Sequence, residues 1–183
     1  MEFVFRPFSR QDFPRLMAWA ISPEFVMQWT GGSFNYPLEE AQLEAHLQSA
    51  GGEAPVRKIF SVWMAEDGRH VGHIELDHIN LLHRSASISR VLIGEPELRG
   101  KGIGQAVVRK VLQIGFEELG LHRIELLVFD FNTAAIHCYE KVGFCKEGHL
   151  REARRVGEEY WSLYRMSILE QEWRQRKGSG NVK

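Results

Sequence analysis

A single α/β (α+β) domain, a mixed β-sheet with helices packed against it, is the fold class this sequence predicts, and three observations predict it. Runs rich in Val, Ile, Phe and Trp alternate with segments whose apolar residues recur every three to four positions. One such run, residues 86–93, passes directly into a glycine loop, ELRGKGIG at residues 97–104, and from there into a helical stripe. The 183 residues, 44% hydrophobic and 26% charged, suffice for one core and contain no repeat or linker that would divide it. The domain is expected to span residues 1–173, with RQRKGSGNVK, residues 174–183, a polar and flexible tail.

Each element has its own signal. Residues 3–8 read as a short strand, and Ser9 with Asp12 three positions on resembles a capping box opening a helix through Ala20, which Pro23 is expected to end. Residues 24–36, EFVMQWTGGSFNY, read as a polar and aromatic loop. Pro37 suits the first turn of a second helix, with Leu43 and Leu47 at i,i+4 and Gly51-Gly52 as its stop. Residues 57–65 and 70–81 read as strands of a hairpin around Glu66-Asp67-Gly68-Arg69. After the glycine loop, Ile103, Val107 and Val111 fall four apart, and Leu112, Phe116 and Leu119 widen the stripe, so a helix runs to Gly120 with one face buried. Residues 123–129 form a strand, Asn132 caps a helix through Val142, and Gly143 ends it. Strands over 145–156 and 160–169 complete the sheet.

Composition excludes several classes of function. A formal net charge of −1 provides no global field for nucleic acid. No apolar run approaches a membrane span, and the charged, proline-containing start MEFVFRPFSRQDF is unlike a signal peptide, so a cytoplasmic protein without a membrane partner is expected. Cys138 and Cys145 have no partners at zinc-ligand spacing and read as small core residues, and His73, His78 and His83 recur at an interval that suits neither a strand face nor a helix face. No metal is expected.

A strand, a glycine loop and a helix in succession form the general architecture of a phosphate site, because free N–H groups at the helix start converge on an anion. The two best-known phosphate motifs fail at single positions. A P-loop needs lysine and a hydroxyl after its last glycine, yet Lys101 precedes Gly102; a dinucleotide fingerprint begun at Gly100 needs Gly or Ala where Gln105 stands. The spacing that fits is Arg99-x-x-Gly102-x-Gly104, and with it the chain resembles the GNAT superfamily of acetyl-CoA-dependent N-acetyltransferases. NTAAIHCYEKVGF, residues 132–144, resembles that family's second signature, and Asn132 and Tyr139, seven apart, share one helix face. EEYWSLYRMSILEQEW, residues 158–173, resembles the RimJ/RimL-like branch, which includes ribosomal-protein N-terminal acetyltransferases and is similar to spermidine N-acetyltransferases.

The resemblance implies a GNAT acyltransferase fold, with a mostly antiparallel central sheet whose central strands splay apart to hold acetyl-CoA. It implies that backbone groups of Arg99, Gly100, Lys101, Gly102, Ile103 and Gly104 cradle the pyrophosphate, with Lys101 adding charge at the rim. It further implies that Val91, Leu92 and Ile93 present backbone to the pantetheine arm, that Asn132 binds that arm besides capping its helix, and that Tyr139 protonates the departing thiolate. No metal enters this chemistry.

The acceptor is less determined. Many relatives carry a glutamate near the start of the strand entering the loop, where this chain has Ser85, Ser87 and Ser89; Glu75 is the best replacement base, ahead of Glu24, with water the remaining candidate. Presenting a lysine-like amine neutral at pH 7 costs roughly 4 to 5 kcal/mol, against about 1 to 1.4 for an α-amine. A protein or peptide N-terminus is therefore the expected acceptor, with a spermidine-like polyamine or other small amine as the alternative, and a non-catalytic acetyl-CoA-binding module as the alternative of another kind. Glu24, Glu39, Glu40 and Glu44 could draw a polycation or form a solvated face. Phe25, Trp29, Phe34 and Tyr36 line the acceptor side, cover the core, or form the contact of a homodimer.

Overall fold

The computed structural model describes residues 2–52 and 56–180. Seven strands form one sheet in the order β1-β2-β3-β4-β5-β7-β6. They are β1 (Phe3–Pro7), β2 (Lys58–Met64), β3 (His70–Asn80), β4 (Ser85–Ile93), β5 (Arg123–Phe129), β6 (Cys145–Val156) and β7 (Glu159–Leu169). Neighbours pair antiparallel except β4 and β5, which run parallel. A parallel pair needs a crossover, and here the glycine loop and helix α4 (Ile103–Gln113) provide it.

That parallel pairing is short. Only Ser85, Ala86 and Ser87 face partners, namely Arg123, Ile124 and Glu125. Beyond them the strands part, and a cleft lined by Ile88 through Ile93 on one side and Leu127 to Phe129 on the other opens in the middle of the sheet. The splayed centre expected from the resemblance is thus present.

Helices cover both faces. α4 buries Ile103, Val107, Val111 and Leu112 of the predicted stripe, and Val108 beside them, against Ile74, Leu76 and Leu126 of the sheet. The helical stretch then continues as a π turn over Ile114–Glu118, where Gly115 lies so close to Ile124 that a Cβ would sit 2.5 Å from its Cδ1. α5 (Thr133–Val142) packs in the same layer, and Trp173 of α6 (Glu170–Gly180) joins that core. The opposite face carries α1 (Phe13–Trp19), α2 (Pro23–Thr30) and α3 (Glu40–Gln48), whose Phe13, Leu16, Val26 and Leu43 form a second core with Ile59 and Leu92. β3 is enclosed between the two layers, so side-chain alternation places Ile74 and Leu76 toward α4 and His73, Glu75 and Asp77 on the other face.

Four local readings differ from the structure. Pro23 opens a helix instead of ending one: Ser22 Oγ accepts from Phe25 N at 3.1 Å, Pro23 occupies N1, and Gly31 at φ +63° closes α2. Most of the expected aromatic loop is therefore helical. Pro37 lies outside a helix, after a cis peptide, while the Gln42 side chain bonds the backbone of Asn35 and Pro37 and α3 starts at Glu40. Cys145 is exposed, not part of the core. The stretch expected to be a polar tail is helical to Gly180, with Lys177 bonded to Glu117; residues 181–183 lie outside those described. Among the described residues, no helix is long and apolar enough to cross a membrane, and no group of His, Cys, Asp and Glu could hold a metal ion.

Candidate functional site

The end of β4 feeds the glycine loop under tight packing. Trp19 of α1 lies directly on Gly94, where an added Cβ would stand 1.9 Å from Cε2 of the indole ring. Gly94 N donates to Val71 O at 3.0 Å, Arg99 Nε to Ile93 O at 3.0 Å, and Leu98 is buried below. Together these fix the loop to the strand.

The three glycines do different work. Gly100 at φ +73° and Gly102 at φ +80° occupy the left-handed region, with open space where a Cβ would be. Gly102 is the N-cap of α4, so the first N–H groups of that helix, which have no intrahelical partners, face outward beside it. Gly104 instead permits close packing of α4 on α5, since its Cβ would lie 3.4 Å from Cys138 Sγ. A shallow cavity beside the loop is lined by Arg99, Gly100, Gly102, His137 and Lys141. Lys141, from the last turn of α5, was not predicted, whereas Lys101 is exposed and does not line this cavity; Ile103 keeps its side chain in the core and can offer only backbone. A cation on a neighbouring helix has no local signature in the sequence.

The larger cleft between the parted strands brings most of the predicted site together. Val91, Leu92, Ile93, Arg99, Gly104, Asn132 and Tyr139 all line it, joined by Cys138 and by Phe25, Gln28 and Trp29 of α2. Asn132 caps α5, its Oδ1 accepting from Ala135 N at 3.3 Å. Tyr139, two turns on, packs edge-on against Phe144 with ring centroids 5.9 Å apart. Burial pushes its phenol well above the usual tyrosine range, with Cys138 adding a smaller push, so the hydroxyl is a held proton donor and not a base.

A second cavity continues through the sheet from the first, sharing Trp29, Ile88, Ser89, Arg90 and Leu127. Ser87, Asp77, Glu125 and Arg154 complete its wall, and Arg154 Nε donates to Gly31 O at 3.2 Å, bridging β6 to the end of α2 above it. Phe25 and Trp29 thus face the cleft as expected; Phe34 is buried against His46, and Tyr36 is exposed away from it.

Neither candidate base reaches these cavities. Glu24 is exposed and lines neither. Glu75 is fully buried: His46 Nε2 donates to it at 2.9 Å, His73 Nε2 at 2.9 Å and Arg90 Nη1 at 2.6 Å. Burial alone would raise its pKa, but these hydrogen bonds and the Arg90 charge outweigh that and hold the carboxyl well below the usual range. His46 Nδ1 receives Arg57 Nη1 at 2.8 Å, which assigns the ring proton to Nε2. Asp77 is paired with Arg57 at 3.1 Å and Arg90 at 3.2 Å. Two guanidiniums face the two carboxylates, and Glu75, buried and enclosed by three donors, is closed to a substrate.

Comparison with known proteins agrees with this geometry. Residues 2–145 match the acetyltransferase (GNAT) domain family. A solved spermidine N-acetyltransferase from Vibrio cholerae, in complex with CoA and spermine, superposes with a TM-score of 0.80 at 30% identity, covering 93% of this chain and 97% of that one. The curated spermidine N(1)-acetyltransferase of the same organism is 38% identical over 106 residues, 58% of this chain and 60% of its own length. A putative ribosomal N-acetyltransferase from Bacillus subtilis, YdaF, is 33% identical over 111 residues, 61% of this chain and 60% of its own. The aligned segments therefore span about three-fifths of these curated relatives, which include both spermidine and putative ribosomal acetyltransferases. Since the matched span contains the glycine loop, the parted strands and the helix bearing Asn132 and Tyr139, the chain belongs to the acetyltransferase (GNAT) domain family.

Proposed function

We propose that the protein transfers the acetyl group of acetyl-CoA to a primary amine of a polyamine such as spermidine. The observation that carries this reading is the continuous passage through the sheet, with a donor-side cleft at Tyr139 and a roofed acceptor-side cavity bearing Asp77, Glu125, Ser87 and Ser89. The Arg154 to Gly31 bridge makes that cavity suit a slender chain better than a folded protein's terminus. The spermidine acetyltransferase relatives support this choice over the N-terminal α-amine expected from the sequence.

The residues fit the coenzyme. Gly100 and Gly102 leave the loop open, Arg99 and Lys141 offer charge beside it, and Val91 to Ile93 expose a strand edge with no β5 partner. Bound acetyl-CoA supplies the acyl group as an activated thioester. Around it, backbone N–H groups of β4 polarise a carbonyl, Trp29 and Phe129 exclude water, and Tyr139 Oη holds a proton for the leaving sulfur. Glu75 and Asp77 are engaged in ion pairs and Glu125 is paired with Arg123 at 2.9 Å, so amine deprotonation falls to water, the serine hydroxyls or the exposed His78 at the cavity wall, and the amine reacts from its neutral fraction.

The test is an acceptor panel with acetyl-CoA, scored by product mass: spermidine, spermine, a lysine peptide and N-terminal peptides. Spermidine or spermine is expected to lead. An N-terminal peptide turned over faster than either polyamine would overturn the proposal.

A further inference from the structure

Arg90 stands where the two halves of the passage meet, lining both. It occupies a bulge in β4: His73 faces Leu92 and Glu75 faces Ser89, so two steps along β3 match three along β4. At the extra residue the backbone turns left-handed, with Arg90 at φ +49°, a conformation that a long side chain adopts only when its surroundings hold it.

The surroundings are all on one guanidinium. Nη1 donates to Glu75 Oε2 at 2.6 Å, to Asp77 Oδ2 at 3.2 Å and to Ser89 Oγ at 3.2 Å. Its other edge, Nε and Nη2, donates to Ser33 Oγ at 3.2 and 3.0 Å, and its carbon lies 5.4 Å from the centre of the Phe34 ring. Behind Glu75 stand His46 of α3 and His73, and behind Asp77 stands Arg57, so the carboxylates cannot shift. Ser33 and Phe34 belong to the segment after α2, the same segment whose Gly31 carbonyl receives Arg154. The anchored edge of Arg90 is therefore on the sheet, and its free edge grips the roof.

We propose that Arg90 is a positioning residue for the amine acceptor: through Ser33 it latches the roof segment, residues 28–34, onto the sheet and sets the width of the acceptor-side cavity. It acts through the roof and does not touch the reacting atoms. The inference rests on the acceptor-side reading of that cavity. A planar fork can hold two carboxylates on one edge and a hydroxyl on the other, which a lysine ammonium cannot.

Two variants test it. Ser33→Ala removes the grip and leaves Arg90, its bulge and its carboxylates in place; Arg90→Lys keeps the charge and loses the span. With spermidine as acceptor, both are expected to raise its KM about fivefold or more, in proportion to the charge-assisted hydrogen bonds lost, while the KM for acetyl-CoA stays within about twofold. Hydrogen exchange at residues 28–34 should quicken in both variants, with the unfolding midpoint unchanged for Ser33→Ala, which leaves the buried ion pairs intact. Equal shifts in both KM values, or none, would overturn the latch. If the wild type does not acetylate spermidine, the polyamine reading fails by itself and hydrogen exchange decides: faster exchange at 28–34 upholds the latch, and unchanged exchange refutes it.

Discussion

Replacing Tyr139 with phenylalanine isolates one oxygen. The side chain is 8% exposed and its ring packs edge-on against Phe144, contacts that phenylalanine keeps, so the fold should survive the change with little loss. What disappears is a proton donor whose pKa burial has raised, so that it stays protonated throughout the working pH range. A thiol with a pKa near 8.5 leaves tolerably well without help, which places the effect at the low end for general acids, about 10- to 100-fold in kcat. In free energy that is roughly 1.4 to 2.7 kcal/mol of transition-state stabilisation. Coenzyme affinity should not move, because the cradle proposed at Gly100 to Gly104 is backbone and the substitution leaves the shape of the cleft in place. The assay is free-thiol release from acetyl-CoA with saturating spermidine, beside calorimetric titration of CoA. Turnover within twofold of wild type would refute the assignment, and loss of CoA affinity would show that Tyr139 serves the cleft's shape instead.

Other predictions follow from the same geometry. Gly94→Ala drives a methyl into the Trp19 ring at 1.9 Å and should cost about 1–3 kcal/mol by overpacking, read from urea unfolding; pairing it with Trp19→Leu should restore much of the loss, and simple additivity of the two would count against direct contact. Because the carboxylates that line the passage are ion-paired, Asp77 with Arg57 and Arg90 and Glu125 with Arg123, kcat/KM for spermidine should rise close to tenfold per pH unit from pH 7 to 9, following the neutral amine; a plateau beginning near pH 7 would reveal a protein base. Glu75→Ala strands Arg90 and two histidines and should destabilise by about 3–5 kcal/mol at neutral pH. Since the folded-state pKa of Glu75 is depressed, its contribution is complete above the unfolded value and is lost as the pH falls through the folded one, so the gap between wild type and Glu75→Gln should narrow on acidification.

Regular, local features of this fold are written in the chain. The stripe Ile103, Val107, Val111 places α4, the glycines place the loop, and Asn132 with Tyr139 at one-face spacing places both on the same cleft wall. These follow from 3.6-residue periodicity and from φ values that only glycine takes readily. The reading of α2 as loop failed because a proline after a break signals either an end or a start, and Ser22 decides for a start by capping. Glu75 could be read as a base because a lone carboxylate in a strand carries no local sign of what will surround it.

The tertiary fold decides everything that depends on distant residues meeting. His46, Arg57, Asp77 and Arg90 come from α3, the approach to β2, β3 and β4, and only their convergence turns Glu75 from a free base into a buried anchor. Lys141 reaches the loop and Arg154 reaches Gly31 across spans that no pattern encodes. The donor side is thus legible from sequence because it uses backbone, whose demands are local. The acceptor side is assembled from side chains of several elements, and its shape and charge exist only once the sheet has closed around them.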